Sequence, residues 1–289
     1  HAAPELFDGL VPACVRRVDE FNPQNLANTA WAYATAGHAV PELFDGLVPA
    51  CVRRVDEFVP QALANTAWAY ATAGHAAPEL FDGLVPACVR RVDEFNPQNL
   101  ANTAWALAVL DVQGAGVDEL AVRLAARTET LDLSEKNLGQ LHQFGLWRRE
   151  RGGQSFFSKV LEDRASASFQ STQPTISIFQ MEVGEALEDL GTRPRMEVVD
   201  ENTGYSADFV VMWEGGEVCI EVDGPSHFVG RSHTQNGSTM LKRRQLRSLA
   251  LWPHVLSVPY WEWKELNIGG GEGRRARQRG YLEGLLRSL

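Results

Sequence analysis

The first 111 residues of this 289-residue chain say the same thing three times. The unit HAAPELFDGLVPACVRRVDEFNPQNLANTAWAYATAG begins at His1 and returns almost unchanged at His38 and His75, and Trp31, Trp68 and Trp105 mark the same 37-residue period. A repeat of this length is one supersecondary unit that cannot bury its own apolar face, so neighbours must stack to make a core. In the first half of the unit Leu6, Leu10, Cys14 and Val18 recur every four residues beside Phe7, Val11 and Val15, which is a helical stripe. Pro12 lies inside it and is expected to kink or divide the helix, because it removes a backbone donor. The second half has a full helix start: Asn22 as N-cap, Pro23 at the first helical position, and Phe21 placed to staple onto Leu26. Ala30, Trp31 and Ala34 are expected on the buried face, with Gly37 ending the helix. In the second unit Val59 and Ala62 replace Asn22 and Asn25, which predicts a weaker cap. A degenerate fourth unit follows, where 133–147 aligns with 95–109, matching Leu138 to Leu100 and putting Gln143 in the place of Trp105. The expected fold of this part is an α-solenoid of helical hairpins.

The net charge of −10 is unevenly spread. Residues 1–110 hold 12 acids and 6 bases, whereas 200–289 hold 11 of each, so the average does not exclude local nucleic-acid contact in the last third. Cys14, Cys51 and Cys88 are one repeat position seen three times, and Cys219 falls in a predicted strand; all read as reduced, buried thiols. No CxxC pair points to zinc, and no apolar run reaches the roughly 18 residues of a membrane span. The chain begins with His1 rather than Met, which reads as a fragment whose targeting segment is out of view.

Residues 151–177 read as a connector with one short helix, and the pattern changes at 178. IFQMEVGEALEDLG is an amphipathic helix, then 195–200, 207–213 and 217–223 alternate as strands. A helix over 238–252 with Ser238 as its cap, a strand over 254–263 running into a turn, and a terminal helix complete an order α-β-β-β-α-β-α. The expected division is a solenoid at 1–150, a connector at 151–177 and a small α/β domain at 178–289, with its motif core at 195–266.

The segment CIEVDGPSHF places Glu221 and Asp223 on one face of a strand. Taking Gly215-Gly216 as a two-residue hairpin loop pairs Glu214 with Glu217 and sets Asp208 opposite Asp223. Three carboxylates then share one patch, where like charges destabilise. The other face is apolar throughout: Phe209, Val211, Trp213, Val218, Ile220 and Val222. A solvated sheet edge is one reading of the patch. The other is a divalent-metal site, with Asp208 and Glu221 as ligands of Mg²⁺ and Lys242 or His227 supplying the positive charge for a hydrolytic step.

The ordered motifs VDGPSHF, NGSTMLKRRQL and VLSVPYWEW resemble the RAP domain, found at the C-terminus of organellar RNA-associated proteins. The LANTAWAYATAG units are similar to the repeats that precede RAP domains in FAST-kinase-like and octotricopeptide-repeat proteins. The resemblance spans nearly the whole chain, most weakly over 151–177. It implies a restriction-endonuclease-like core, and RNA binding that governs processing, stability or translation of mitochondrial or chloroplast mRNA or rRNA. Asp208, Glu221 and Asp223 fall where such a core keeps its metal ligands, but Asp223 stands at the lysine position, a departure that counts against hydrolysis more than against RNA binding.

The remaining candidates are weighed the same way. His227 is a candidate for phosphate positioning or proton transfer, or a structural turn residue. Lys242, Arg243, Arg244 and Arg247 are candidate phosphate contacts on one helix, or a solvated face. Tyr260, Trp261 and Trp263 are candidate stacking groups for unpaired bases, with core packing expected for at least one. Arg16, Arg17 and their counterparts form a ladder at solenoid spacing beside Asp19 and Glu20. Asn25, Ala62 and Asn99 share one repeat position, a candidate base-reading site. The leading expectation is an organellar protein that binds single-stranded RNA, with ribonucleoprotein partners, no membrane and no cofactor. The alternatives are an Mg²⁺-dependent endoribonuclease acting through Asp208, Glu221, Asp223 and His227, and a protein-interaction scaffold suited to the acidic repeats.

Overall fold

A computed structural model describes residues 4–171, 175–230, 232–268 and 271–289. The chain forms two compact units, one of 1–169 with 228–241 and one of 170–227 with 242–289.

The first unit is a stack of helical pairs. The outer series is α1 (Pro4–Arg16), α3 (Pro41–Arg54), α5 (Pro78–Arg91) and α7 (Ala115–Thr128); the inner series is α2 (Pro23–Thr35), α4 (Pro60–Ala73), α6 (Pro97–Val109) and α8 (Glu135–Glu150). Inner helices pack chiefly on inner helices and outer on outer, and Phe44, Phe58, Tyr70 and Phe95 fill the space between, each nearly or fully buried. Helix α9 (Lys159–Gln170) adds Leu161 and Ala165 to the same core.

The prolines do not divide the outer helices as expected: Pro12, Pro49 and Pro86 all lie inside unbroken helices. Each leaves the carbonyl four residues earlier without its donor. The next carbonyl toward the N-terminus serves the paired helix: the Tyr33 hydroxyl donates to Phe7 O at 2.8 Å and Tyr70 to Phe44 O at 2.7 Å, which ties the two helices of a unit together.

Helix starts follow the sequence closely. Asn22 and Asn96 accept from the backbone N–H of Asn25 and Asn99, each at 2.8 Å, while Val59 makes no cap bond. Trp31 departs from the expectation: it is 44 % exposed, whereas Trp105 at the same repeat position is 7 % exposed and donates its indole N–H to Gln143 of the next inner helix. The arginine ladder stitches unit to unit. Arg53 pairs with Asp19, Arg90 with Asp56 and Arg123 with Asp93, while Arg54 and Arg91 donate to the carbonyls of Phe21 and Phe58.

Residues 228–241 run as a strap over the C-terminal ends of α2, α4 and α6, and Leu241 is fully buried in that core. Glycine permits the contact. A Cβ on Gly237 would stand 1.7 Å from Ala71 O, one on Gly74 (φ +63°) 2.8 Å from Met240 Sδ, and one on Gly230 3.0 Å from Gly37 O.

The second unit holds α10 (Ile178–Asp189), then the strands β1 (Arg195–Val199), β2 (Ser206–Trp213), β3 (Gly216–Asp223) and β4 (His254–Pro259) in the sheet order 1-2-3-4. The first three are antiparallel neighbours and β4 runs parallel to β3. Phe209, Val211, Val218, Ile220 and Val222 pack against α10 and against Leu282 and Leu286 of α13 (Glu272–Arg287). Helix α11 (Gly237–Leu249) begins in the strap and continues into this unit. Its cap is Asn236 rather than Ser238, with Oδ1 accepting from Thr239 N at 3.0 Å. YWEW is not a turn but the start of helix α12 (Tyr260–Leu266). Among the described residues no helix is long and apolar enough to cross a membrane.

Candidate functional site

The hairpin between β2 and β3 turns at Glu214-Gly215, with φ of 46° and 89°, not at Gly215-Gly216. Positive φ at both central residues matches the right-handed twist of the strands. The register is therefore Trp213↔Gly216 and Phe209↔Ile220, so the next step of the ladder sets Asp208 against Glu221 rather than Asp223. The slip is by two residues, an even number, which keeps every side chain on its expected face. The acidic face is real; its pairing differs.

Water does not cover that face; helix α11 does. Glu221 is 1 % exposed and Asp223 0 %. Lys242 Nζ lies 2.7 Å from Glu221 Oε2 and over the Tyr205 ring, 6.0 Å from its centroid. Asp223 receives Arg243 Nη2 and the Ser257 hydroxyl on Oδ2, and His227 Nδ1 on Oδ1 at 2.7 Å. Arg243 also donates to Leu256 O at 3.1 Å, and the Tyr205 hydroxyl donates to the buried Gln245 at 2.9 Å. Asp208 accepts from Val222 N at 2.6 Å.

Two cations thus meet three carboxylates, and the titration follows that count. Burial, with the neighbouring Glu221 charge, pushes Asp208 up to about 7, against the pull of Lys242 and Val222 N–H. Burial also pushes on Asp223, but His227, Arg243 and Ser257 outweigh it and hold the carboxyl below its ordinary value. Lys242 is disfavoured by burial, yet Glu221 and Asp208 outweigh that and raise its pKa. With Asp208 protonated the cluster is neutral.

This predicts a pH dependence. The folded Asp208 value of about 7 lies above its ordinary 3.8, so the native state holds a proton that the unfolded chain has lost between those values. Its contribution is complete below about pH 4 and is lost as pH rises through about 7, worth up to about 4 kcal/mol. Asp208→Asn is expected to flatten that decline. Chemical denaturation of both proteins at pH 5 and pH 8 checks it, and equal slopes would remove Asp208 as the titrating group.

The same geometry tests the metal reading. Among the described residues no three His, Cys, Asp or Glu side chains converge as cation ligands. Glu221 Oε2 and both Asp223 oxygens are already occupied by Lys242, Arg243, Ser257 and His227. Lys242 and Arg243 stand on the carboxylates that Mg²⁺ would need. The residues do not fit a metal, and no hydrolytic step is assigned to them.

The expected nucleic-acid contacts separate likewise. Arg243, expected among the phosphate contacts, is 3 % exposed and spent on Asp223 and Leu256. Lys242 is committed to Glu221, Arg244 is half-buried and Arg247 is exposed. Trp263 is the core residue of the aromatic set, its Nε1 donating to Glu182 at 2.9 Å. Tyr260 and Trp261 are half-buried and meet edge-to-face at 5.3 Å. Because Asp223 pairs with Pro259 in the parallel ladder, His227 and Tyr260 both follow from the carboxyl ends of β3 and β4. In open α/β sheets that end is where ligands bind.

In the repeats Asn25 is exposed, whereas Ala62 and Asn99 are buried between inner helices, 4 % and 5 % exposed. The position therefore shapes the junction between units. Beside it Gln24, Asn28 and Gln61 are exposed and Asn65 is half-buried. Their i, i+4 spacing, continued by Trp31 and Trp68, is the signal from which that row was legible.

Comparison with known proteins fits this division. The RAP domain family model matches residues 220–270, which hold Glu221, Asp223, Lys242 and Arg243 of the cluster but not Asp208. Over these residues the chain is similar to a RAP domain. The family described as RNA-editing substrate-binding complex 6 protein matches residues 3–137, the helical pairs. A chloroplastic RAP domain-containing protein of Oryza sativa subsp. japonica is 34 % identical over 103 residues, covering 36 % of this chain and 15 % of that relative. The RAP domain match runs through both compact units, since 228–241 lies in the first and the rest in the second.

Proposed function

We propose that this chain is an organellar RNA-binding protein that acts in transcript processing, stability or translation and has no hydrolytic activity of its own. The observation that carries the reading is the pairing of a RAP domain with helical repeats matching an RNA-editing substrate-binding family, over 220–270 and 3–137. The chloroplastic relative supports an organellar setting, mitochondrion or chloroplast. In this reading the repeats hold single-stranded RNA and the RAP domain, a nuclease-like core turned to binding, contacts it at the carboxyl ends of β3 and β4 through His227, Tyr260 and Trp261, with Arg247 as an exposed cation. The arginines at the repeat junctions are tied to Asp19, Asp56 and Asp93, which favours base contact over phosphate contact along the repeats. Ribonucleoprotein partners are expected alongside the RNA.

Fluorescence anisotropy with a labelled 20-nucleotide single strand at 50 and 200 mM salt tests this. Binding that survives duplex competitor is expected, with the label still on full-length RNA after incubation with Mg²⁺. Absence of binding would overturn the RNA reading. Cleavage that disappears in Glu221→Gln would overturn the non-hydrolytic part and restore the endoribonuclease.

A further inference from the structure

The four inner helices do not make three identical junctions. Between α2 and α4 lies a groove of about 420 Å³, walled by Val59 and Ala62 and edged by Gln24, Asn28, Gln61 and Asn65. At the groove the second unit departs from its neighbours: where unit three places Asn99, 5 % exposed, unit two places the smaller Ala62. At the junction of α6 and α8 the amides are spent on each other instead: Gln140 donates to Asn102 at 3.0 Å and the Trp105 indole to Gln143 at 2.9 Å. At the first junction the side chains of Gln24, Asn28, Gln61 and Asn65 hydrogen-bond to no other described residue.

We infer that this groove receives one nucleobase of a single-stranded RNA, and that position 62 sets which junction is open to a base. The inference rests on the RNA reading above. The chemistry of the walls selects the occupant. No lysine or arginine lines the groove, and its one acid, Glu57, is paired with Arg54 at 2.7 Å, so a phosphate finds no cationic partner among the lining residues. Side-chain amides offer a donor and an acceptor on one planar group, which matches a base edge. Apolar walls from Ala27, Val59 and Ala62 suit a flat ring, and helical-repeat readers take unstacked bases in this way.

The decisive substitution is Ala62→Asn, which makes the first junction like the second. Asparagine already occupies this position in the first and third units, so the fold accepts it, and a thermal melt of the variant serves as the check. Anisotropy with a uniform single-stranded RNA is expected to show affinity reduced about 5- to 100-fold, the worth of one stacked or edge-bonded base. Asn65→Ala is expected to weaken binding in the same sense. An RNA of the same length with abasic positions is expected to bind wild type and Ala62→Asn equally weakly. If wild type binds RNA and Ala62→Asn binds as tightly, or if abasic and normal strands bind alike, the groove is not a base site and the RNA reading stands without it. If wild type binds no RNA, both fall.

Discussion

Arg243→Met is expected to destabilise the second unit by about 3–5 kcal/mol, because it leaves the Asp223 carboxylate buried without its main counter-charge. Asp223 is fully buried and keeps only Ser257 and His227 once the guanidinium is gone. Lysine is not an adequate replacement. Arg243 divides its fork between Asp223 and the Leu256 carbonyl, and a single ammonium cannot serve both in the same geometry. The stabilities of Arg243→Met, Asp223→Asn and the double variant form a cycle that isolates the pair. The double variant is expected to recover a large part of the loss, since removing both charges removes the orphan. A loss under about 1 kcal/mol for Arg243→Met, the range of surface ion pairs, would contradict the buried pairing.

The second large effect is expected at Gly237. A methyl group there would meet Ala71 O at 1.7 Å, with Ala71 C and Val109 Cγ1 both at 2.8 Å. The first two are backbone, which cannot turn aside as a side-chain tip does. Gly237→Ala must therefore lift the strap off α4 and α6, at a cost of about 1–3 kcal/mol or more. Hydrogen exchange checks it: amides of 228–241 are expected to lose protection in the variant. Gly280→Ala is the control, since a Cβ there meets nothing within 4 Å and the residue lies inside α13. That substitution is expected to stabilise by about 0.5–1 kcal/mol through helix propensity. Unchanged exchange in Gly237→Ala would mean the strap is not seated as described.

These two sites also mark where the sequence stops being legible. The helical pairs, the asparagine caps and the alternating acid face of β2 and β3 all arise from neighbours within a few residues, and local patterns encode them. The partners of the acids do not. Lys242 and Arg243 are adjacent in sequence, yet one meets Glu221 and the other Asp223 from 20 residues away, and no period in the chain announces that α11 covers this face. Reading the four bases of α11 as one surface was natural for an isolated helix and failed for Arg243 because packing decided its side. The outer-helix prolines did not divide their helices either: Pro12, Pro49 and Pro86 all lie within unbroken ones, where packing against the paired helix outweighs one lost backbone donor. Trp31 was placed on the buried face with Ala30 and Ala34, but it is 44 % exposed where its counterpart Trp105 is 7 %, so the neighbouring unit decides its burial. The hairpin register erred for want of one fact, that Glu214 accepts a left-handed backbone.

The strap has a consequence for how this chain can be inherited. Because 228–241 completes the repeat unit while its flanks complete the other, no single cut in the polypeptide yields two whole pieces. A gene fusion that joined a RAP domain to unrelated helices would bring Gly230, Gly237 and Leu241 with nothing shaped to receive them. Shuffling of these modules is thereby discouraged, and repeats and RAP domain are bound to change in step.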